Sequence, residues 1–199
     1  MTDDFSGLWP VLQVWLTLAF TALGIKLLDD TLDARQDQVA DRPNWFNRYG
    51  SAVPIYAIWL FLLATAIGSA WTYAFFCAAY AVGMIGEGKQ TALPSAVPDQ
   101  WRPLGKWFEV ILALVIGLIL SSWFHLSAAL FALLFIQQLD DLLDGEVASD
   151  TPLELVWLKM VFYILCSWIL YPGVILAAIS VSVPIILATR RLPAEGESF

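Results

Sequence analysis

In the stretch "FTALGIKLLDDTLDARQD", residues 20–37, a long apolar run ends in a dense group of acids. The preceding run is almost free of charge, and Asp29, Asp30, Asp33 and Asp37 follow at once. An apolar run of about 20 residues can cross the hydrocarbon core of a bilayer as a helix. The stretch therefore predicts a membrane-spanning helix whose last turns reach water as an acidic end.

The composition of the whole chain agrees with a membrane protein. Of its 199 residues, 59% are hydrophobic and only 14% are charged, and the net charge is -8. Soluble domains are about a quarter charged. The chain lacks a basic field, so nucleic acid is not an expected partner. We expect one domain, residues 1–199, folded as an all-α polytopic transmembrane bundle within a lipid bilayer.

The apolar runs predict about seven spans. They cover residues 8–28, 50–68, 70–86, 104–122, 125–143, 153–171 and 173–189. The spans divide into two possible repeat halves, 8–86 and 104–189, joined by a loop at 87–103. Tight connections near Gly68, Trp123 and Pro172 are expected at the far end of the bundle, away from the acidic end.

Charge distribution predicts the orientation of these spans. If they alternate in direction, the loops at 29–49, 87–103 and 144–152 share one side with the acidic end, which we call the acidic face. Every lysine and arginine then lies on or near the acidic face: Lys26, Arg35, Arg42, Arg48, Lys89, Arg102, Lys106, Lys159, Arg190 and Arg191. Basic residues mark the cytoplasmic side. We therefore expect an integral membrane protein with a cytoplasmic acidic face and an external N-terminus. If the protein is bacterial, the membrane is the plasma membrane.

The acidic end occurs twice. Residues 131–144, "FALLFIQQLDDLLD", match residues 20–33 at Phe, Leu, Ile, Leu, Asp, Asp, Leu and Asp. Both matching segments end in DDxxD. Because three predicted spans lie between them, the two DDxxD ends fall on the same side of the membrane. Internal repeats of this kind commonly form a site at the interface between the two halves.

Two carboxylate stripes are expected from helical spacing. They are Asp29, Asp33 and Asp37 on the first span and Asp140 and Asp144 on the later one, with Asp30 and Asp141 about a quarter turn to the side. Like charges this close repel near a membrane, and a divalent cation would relieve them. Oxygen ligands that leave water bound suit Mg²⁺, whose usual partner is phosphate. The stripes predict a magnesium–diphosphate site with all seven acids as ligands, aided by Lys89, Arg42 or Arg102 from nearby loops. Acidic residues that merely solvate two helix ends are the simpler alternative.

The acidic patterns resemble those of the UbiA superfamily of intramembrane prenyltransferases. That family has [ND]DxxDxxxD at one helix end and DxxxD four helices later. Asp29-Asp30-x-x-Asp33-x-x-x-Asp37 fits the first pattern and Asp140-x-x-x-Asp144 the second. Arg42-Pro43 resembles an Arg-Pro in the family's cytoplasmic loop. "KQTALP", residues 89–94, is similar to a basic residue before Thr-x-Leu-Pro, which suggests Lys89 as a diphosphate contact.

The resemblance implies a Mg²⁺-dependent enzyme that transfers a prenyl group from a prenyl diphosphate to a lipophilic acceptor of unknown identity. The implied catalytic residues are Asp29, Asp33, Asp37, Asp140 and Asp144. The family usually has nine helices, whereas this sequence predicts about seven.

Two other functions stay open at this stage. A terpene cyclase of the same family captures the allylic cation with the substrate's own double bonds and needs no acceptor site, which fits a short chain. A divalent-cation transporter or binding protein would use the carboxylates for the ion itself, but transporters place ligands near the bilayer midplane. Here nearly all acids lie at one face.

Overall fold

The computed structural model describes residues 8–39, 43–86, 106–144 and 152–190, and all regular structure in these ranges is helical. The helices are α1 (Leu8–Val39), α2 (Trp45–Tyr49), α3 (Ala52–Gly86), α4 (Lys106–Leu120), α5 (Trp123–Asp144), α6 (Leu153–Leu170) and α7 (Pro172–Arg190). The all-α prediction is confirmed. Residues 87–103, the predicted loop between the two halves, lie outside the described ranges.

Within the described residues, four helices are long and apolar enough to cross a membrane. The qualifying stretches are Trp9–Arg35 of α1, Ala52–Gly83 of α3, Trp123–Asp140 of α5 and Leu153–Leu170 of α6. Two shorter apolar stretches, Trp107–Leu120 and Pro172–Ala188, come from α4 and α7. These lengths and compositions are those of a membrane protein.

Helix α3 folds back on itself at Gly68, whose backbone is not helical. Phe61 and Phe76 lie on opposite sides of Gly68 in the sequence, yet their ring centroids are 5.1 Å apart. A straight helix would separate these two residues by about 22 Å along its axis. The residues before and after Gly68 therefore form a helical hairpin, at the position where the apolar pattern predicts the boundary between two spans.

Gly68 is needed at this turn because α1 approaches it closely. A Cβ atom at this position would lie 2.6 Å from Oγ1 of Thr17, well inside van der Waals contact. The side-chain amide of Gln13 donates to the carbonyl of Ile67, which precedes the break. The first turns of α1 thus hold the turn of α3.

Three helix connections meet at the far end of the bundle. The ring of Trp71, just after the turn at Gly68, lies 4.3 Å from the ring of His125 at the start of α5. It also lies 5.0 Å from the ring of Tyr171, which links α6 to α7. The ends of α1 and α5 that carry the acids lie at the opposite end of the bundle, because both helices lead away from this junction.

Small side chains form the interior and large ones cover the outside. The main buried cluster is rich in alanine: Ala74, Ala78, Ala128, Ala129, Ala132, Ala177 and Ala178. Exposed side chains include Ile119, Ile169, Leu158 and Trp59. Membrane helices pack through small residues because lipid already solvates the large apolar ones. This distribution agrees with a bundle that is surrounded by lipid.

Candidate functional site

Lys26 lies one turn before the acidic end of α1. Its Nζ is 2.9 Å from Oδ1 of Asp30 and 3.9 Å from Oδ2 of Asp29. Asp140 of α5 adds a weaker electrostatic attraction to this lysine. Helices α3 and α7 each pack against both α1 and α5 and so hold the two helices in place. The two helices that carry the predicted stripes therefore share the same two neighbours.

Asp30 is an anchor within the protein. Its side chain is only 1% exposed. One carboxylate oxygen forms the ion pair with Lys26, and the other accepts a hydrogen bond from the backbone N–H of Trp45 at 2.8 Å. Both oxygens are thus engaged by the chain, which differs from the metal ligation that the sequence predicts. This geometry gives Asp30 a role in fixing α2 and the end of α1.

Asn44 completes this anchor and was not singled out from the sequence. Its Nδ2 donates to the backbone carbonyl of Asp30 at 2.8 Å and to Oδ2 of Asp37 at 2.6 Å. Its Oδ1 accepts from the backbone N–H groups of Phe46 and Asn47 and so caps α2. An Asn directly before an aromatic-rich segment is an N-cap signal that could have identified it.

The other acids of α1 differ in their surroundings. The side chain of Asp29 is 60% exposed and reaches Lys26 only at the limit of an ion pair. Asp37 is held by Asn44. Asp33 is half-buried on the helical face that it shares with both. The predicted stripe therefore contains an exposed acid, a half-buried acid and an acid bound to the α2 cap.

The second stripe is described in part. Helix α5 continues to Asp144, as the repeat predicts, and Asp140 is half-buried. The side chains of Asp141 and Asp144 lie outside what the structure describes. So do the three predicted diphosphate contacts: Lys89, Arg42 and Arg102.

The described acids at the ends of α1 and α5 are too few at any one point to enclose a metal ion, but they could hold one that is also bound by a substrate. Among the side chains that the structure describes, no three acids, histidines or cysteines converge on one point. Mg²⁺ often uses only one or two protein carboxylates, together with water and substrate phosphates. Asp29 is exposed and Asp33 and Asp140 are half-buried, whereas Asp30 is buried and its carboxylate is bound by Lys26 and the backbone of Trp45.

Two further polar groups belong to other parts of the bundle. Tyr80 of α3 donates its hydroxyl to Glu109 of α4 at 3.0 Å, which accounts for an acid near the start of that span. His125 hydrogen-bonds through Nδ1 to the hydroxyl of Ser122 at the far end.

The candidate site is thus a pair of acidic helix ends on one side of an apolar bundle, with a lysine of α1 paired to the acids of the first end. Asp30 and Asn44 fix the α1 end, and exposed or half-buried acids remain beside it. Comparisons with protein-family models, curated proteins and solved structures find no match to this chain.

Proposed function

We propose that this protein is a membrane-embedded, Mg²⁺-dependent enzyme that transfers the prenyl group of a prenyl diphosphate to a lipophilic acceptor. The observation that supports this proposal is that α1 and α5, which carry the two DDxxD patterns, both lead away from the junction around Trp71, so that their acidic ends lie on one side of an apolar bundle. A diphosphate head group would bind at the acidic end, and an isoprenoid tail would lie among the apolar helices.

The proposed topology has seven passes. The hairpin in α3 supplies two of them, and α1, α4, α5, α6 and α7 supply the others. Successive passes alternate in direction, which puts the basic residues on the acidic face and makes that face cytoplasmic. The diphosphate would then enter from the cytoplasm.

The acids of both helices would divide the work of holding the head group. Asp29 and Asp33 on α1 and Asp140 and Asp144 on α5 would hold Mg²⁺, with Asp37 beside them. The metal would supply positive charge that stabilises the departing diphosphate. Lys89, Arg42 and Arg102 remain proposed diphosphate contacts. Asp30 and Asn44 would keep the α1 end in position.

The experiment is diphosphate release from a panel of prenyl diphosphates by the full chain in vesicles. We expect release to require Mg²⁺ and to stop with a chelator. Asp33→Asn and Asp144→Asn should each reduce release by about a hundredfold or more, because each removes a charged ligand of the metal that stabilises the leaving group. A hundredfold reduction corresponds to about 2.7 kcal/mol of lost transition-state stabilisation. Glu154→Gln is the matched control, since Glu154 is an exposed acid at the start of α6 and should leave release unchanged.

Omitting the acceptor separates the two enzymatic alternatives. A transferase should release diphosphate slowly until a lipophilic acceptor is added, whereas a terpene cyclase should form a hydrocarbon or terpene alcohol without one. Flux of Mn²⁺ into the vesicles, with no diphosphate release from any substrate, would replace the enzyme with a divalent-cation transporter.

A further inference from the structure

Asn44 has a polar side chain that is almost completely buried, at 4% exposure, and fully engaged in hydrogen bonds. Its Nδ2 donates to the backbone carbonyl of Asp30 at 2.8 Å and to Oδ2 of Asp37 at 2.6 Å. Its Oδ1 accepts from the backbone N–H groups of Phe46 and Asn47 in α2. A primary amide has two donor hydrogens and two acceptor lone pairs. All four are used, so the amide is fixed in one orientation, because a rotated amide would turn its oxygen toward the oxygens of Asp30 and Asp37.

Two acids of α1, Asp30 and Asp37, are held by different kinds of partner. The carboxylate of Asp30 is paired with the ammonium group of Lys26 and accepts from the backbone N–H of Trp45. The hydrogen bond from Asn44 fixes one carboxylate oxygen of Asp37, and because the amide is neutral, this bond brings no positive charge to the acid. Carboxylates that bind metal ions are commonly oriented by hydrogen bonds of this kind.

We propose that Asn44 is a positioning residue for Asp37: its amide holds this carboxylate at the acidic end of α1 in the orientation in which it binds a divalent cation. The inference rests on the proposed function for the role of the metal ion. The same amide caps α2 and bonds to the backbone of α1, so the orientation of Asp37 depends on the docking of α2. Removal of such a partner typically weakens metal binding by about 10–100-fold.

The test is Mn²⁺ binding by the full chain in detergent, measured by electron paramagnetic resonance with and without methylenediphosphonate, a diphosphate analogue that cannot be hydrolysed. Asn44→Ser should raise the Mn²⁺ dissociation constant by about tenfold or more. Serine can still cap α2, but it lacks the two donor hydrogens of the amide. Asn47→Ser is the matched control. The Asn47 amide also ties α2 to α1, through the carbonyl of Ala34 at 2.9 Å, so its loss should lower the unfolding midpoint and leave the Mn²⁺ affinity unchanged.

A double-mutant cycle separates positioning from stability. In an Asp37→Asn background, Asn44→Ser should cause no further loss of Mn²⁺ affinity, because the carboxylate that it positions is gone. It should still lower the unfolding midpoint there, because the bond to the Asp30 carbonyl is lost. If Asn44→Ser does not fold, Asp37→Glu tests the same point: it keeps the charge, displaces the carboxylate by one methylene group and should weaken Mn²⁺ binding.

Four results would overturn the role of Asn44. They are no Mn²⁺ binding by the wild type, an unchanged affinity in Asn44→Ser or Asp37→Glu, an equal loss of affinity in Asn47→Ser, and an equal effect of Asn44→Ser with and without Asp37. Failure of the proposed function looks different. In that case the wild type binds Mn²⁺ and shows the predicted coupling, but it releases no diphosphate from any prenyl diphosphate.

Discussion

At the scale of single residues, the two adjacent acids Asp29 and Asp30 have different tasks. Asp29 is exposed and Asp30 is buried between Lys26 and the backbone of Trp45. The sequence predicts both as metal ligands and places Asp30 about a quarter turn from Asp29, but it does not reveal that Asp30 is buried. Their difference arises because α2 packs on one side of α1, and that contact depends on a short helix with little apolar pattern of its own.

Asn44 offers a direct test of this packing. Asn44→Ala should lower the free energy of unfolding by about 2 kcal/mol, because it removes a helix cap and the hydrogen bonds to Asp30 and Asp37. Asn44→Asp should also destabilise, although Asp caps helices as well as Asn does. It keeps the capping oxygen but loses the donor and introduces repulsion with Asp37. Unfolding in detergent measures both, and a neutral Asn44→Asp would show that only the cap matters.

At the scale of helices, the apolar pattern predicts lengths and boundaries well. The expected boundary at Gly68 and the end of α5 at Asp144 both agree with the structure. These features follow from local sequence, since a span needs a certain length and acids end it. Helix α1 extends to Val39, beyond the predicted apolar span at 8–28, as the helical spacing assumed for Asp29, Asp33 and Asp37 requires. Its last turns are polar and are fixed by contacts with α2.

The turn in α3 gives the prediction at this scale. Gly68→Ala should destabilise the protein by about 1–3 kcal/mol, because the new methyl group would overlap with Thr17. Thr17→Ala removes that overlap, so Gly68→Ala should cost much less in its background. Gly83→Ala is the control within the same helix, since a Cβ there meets no atom within 4 Å and alanine favours helix. Similar losses for Gly68→Ala with and without Thr17 would contradict the close approach.

At the scale of the whole molecule, the sequence predicts an apolar bundle but not which helices are neighbours. The contacts of α3 with α1, α4 and α5 depend on alanine and glycine positions spread across the chain. Gly117, for example, would place a Cβ 3.0 Å from Cβ of Cys77. Such close approaches are set by the fit of two surfaces, and a pattern of hydropathy does not record that fit.

Orientation in the membrane is testable by cysteine labelling. In a background with Cys77→Ala and Cys166→Ala, a cysteine in place of Trp123 at the far end should react with a membrane-impermeant maleimide added to intact cells. A cysteine in place of Leu32 should react only after permeabilisation. Both native side chains are exposed, at 58% and 59%, so access in the protein itself does not limit labelling. The opposite pattern would invert the proposed topology.

The connections at the far end also affect how the chain can enter a membrane during synthesis. The turns at Gly68, at Ser121–Ser122 and at Tyr171 are short and contain no charged side chain. Each joins two apolar helical segments, so each pair can insert as a preformed hairpin without carrying a charge across the bilayer. Insertion of these three pairs would then need the transfer of very little polar chain, and the charged residues at their other ends could remain on the side where the ribosome makes them.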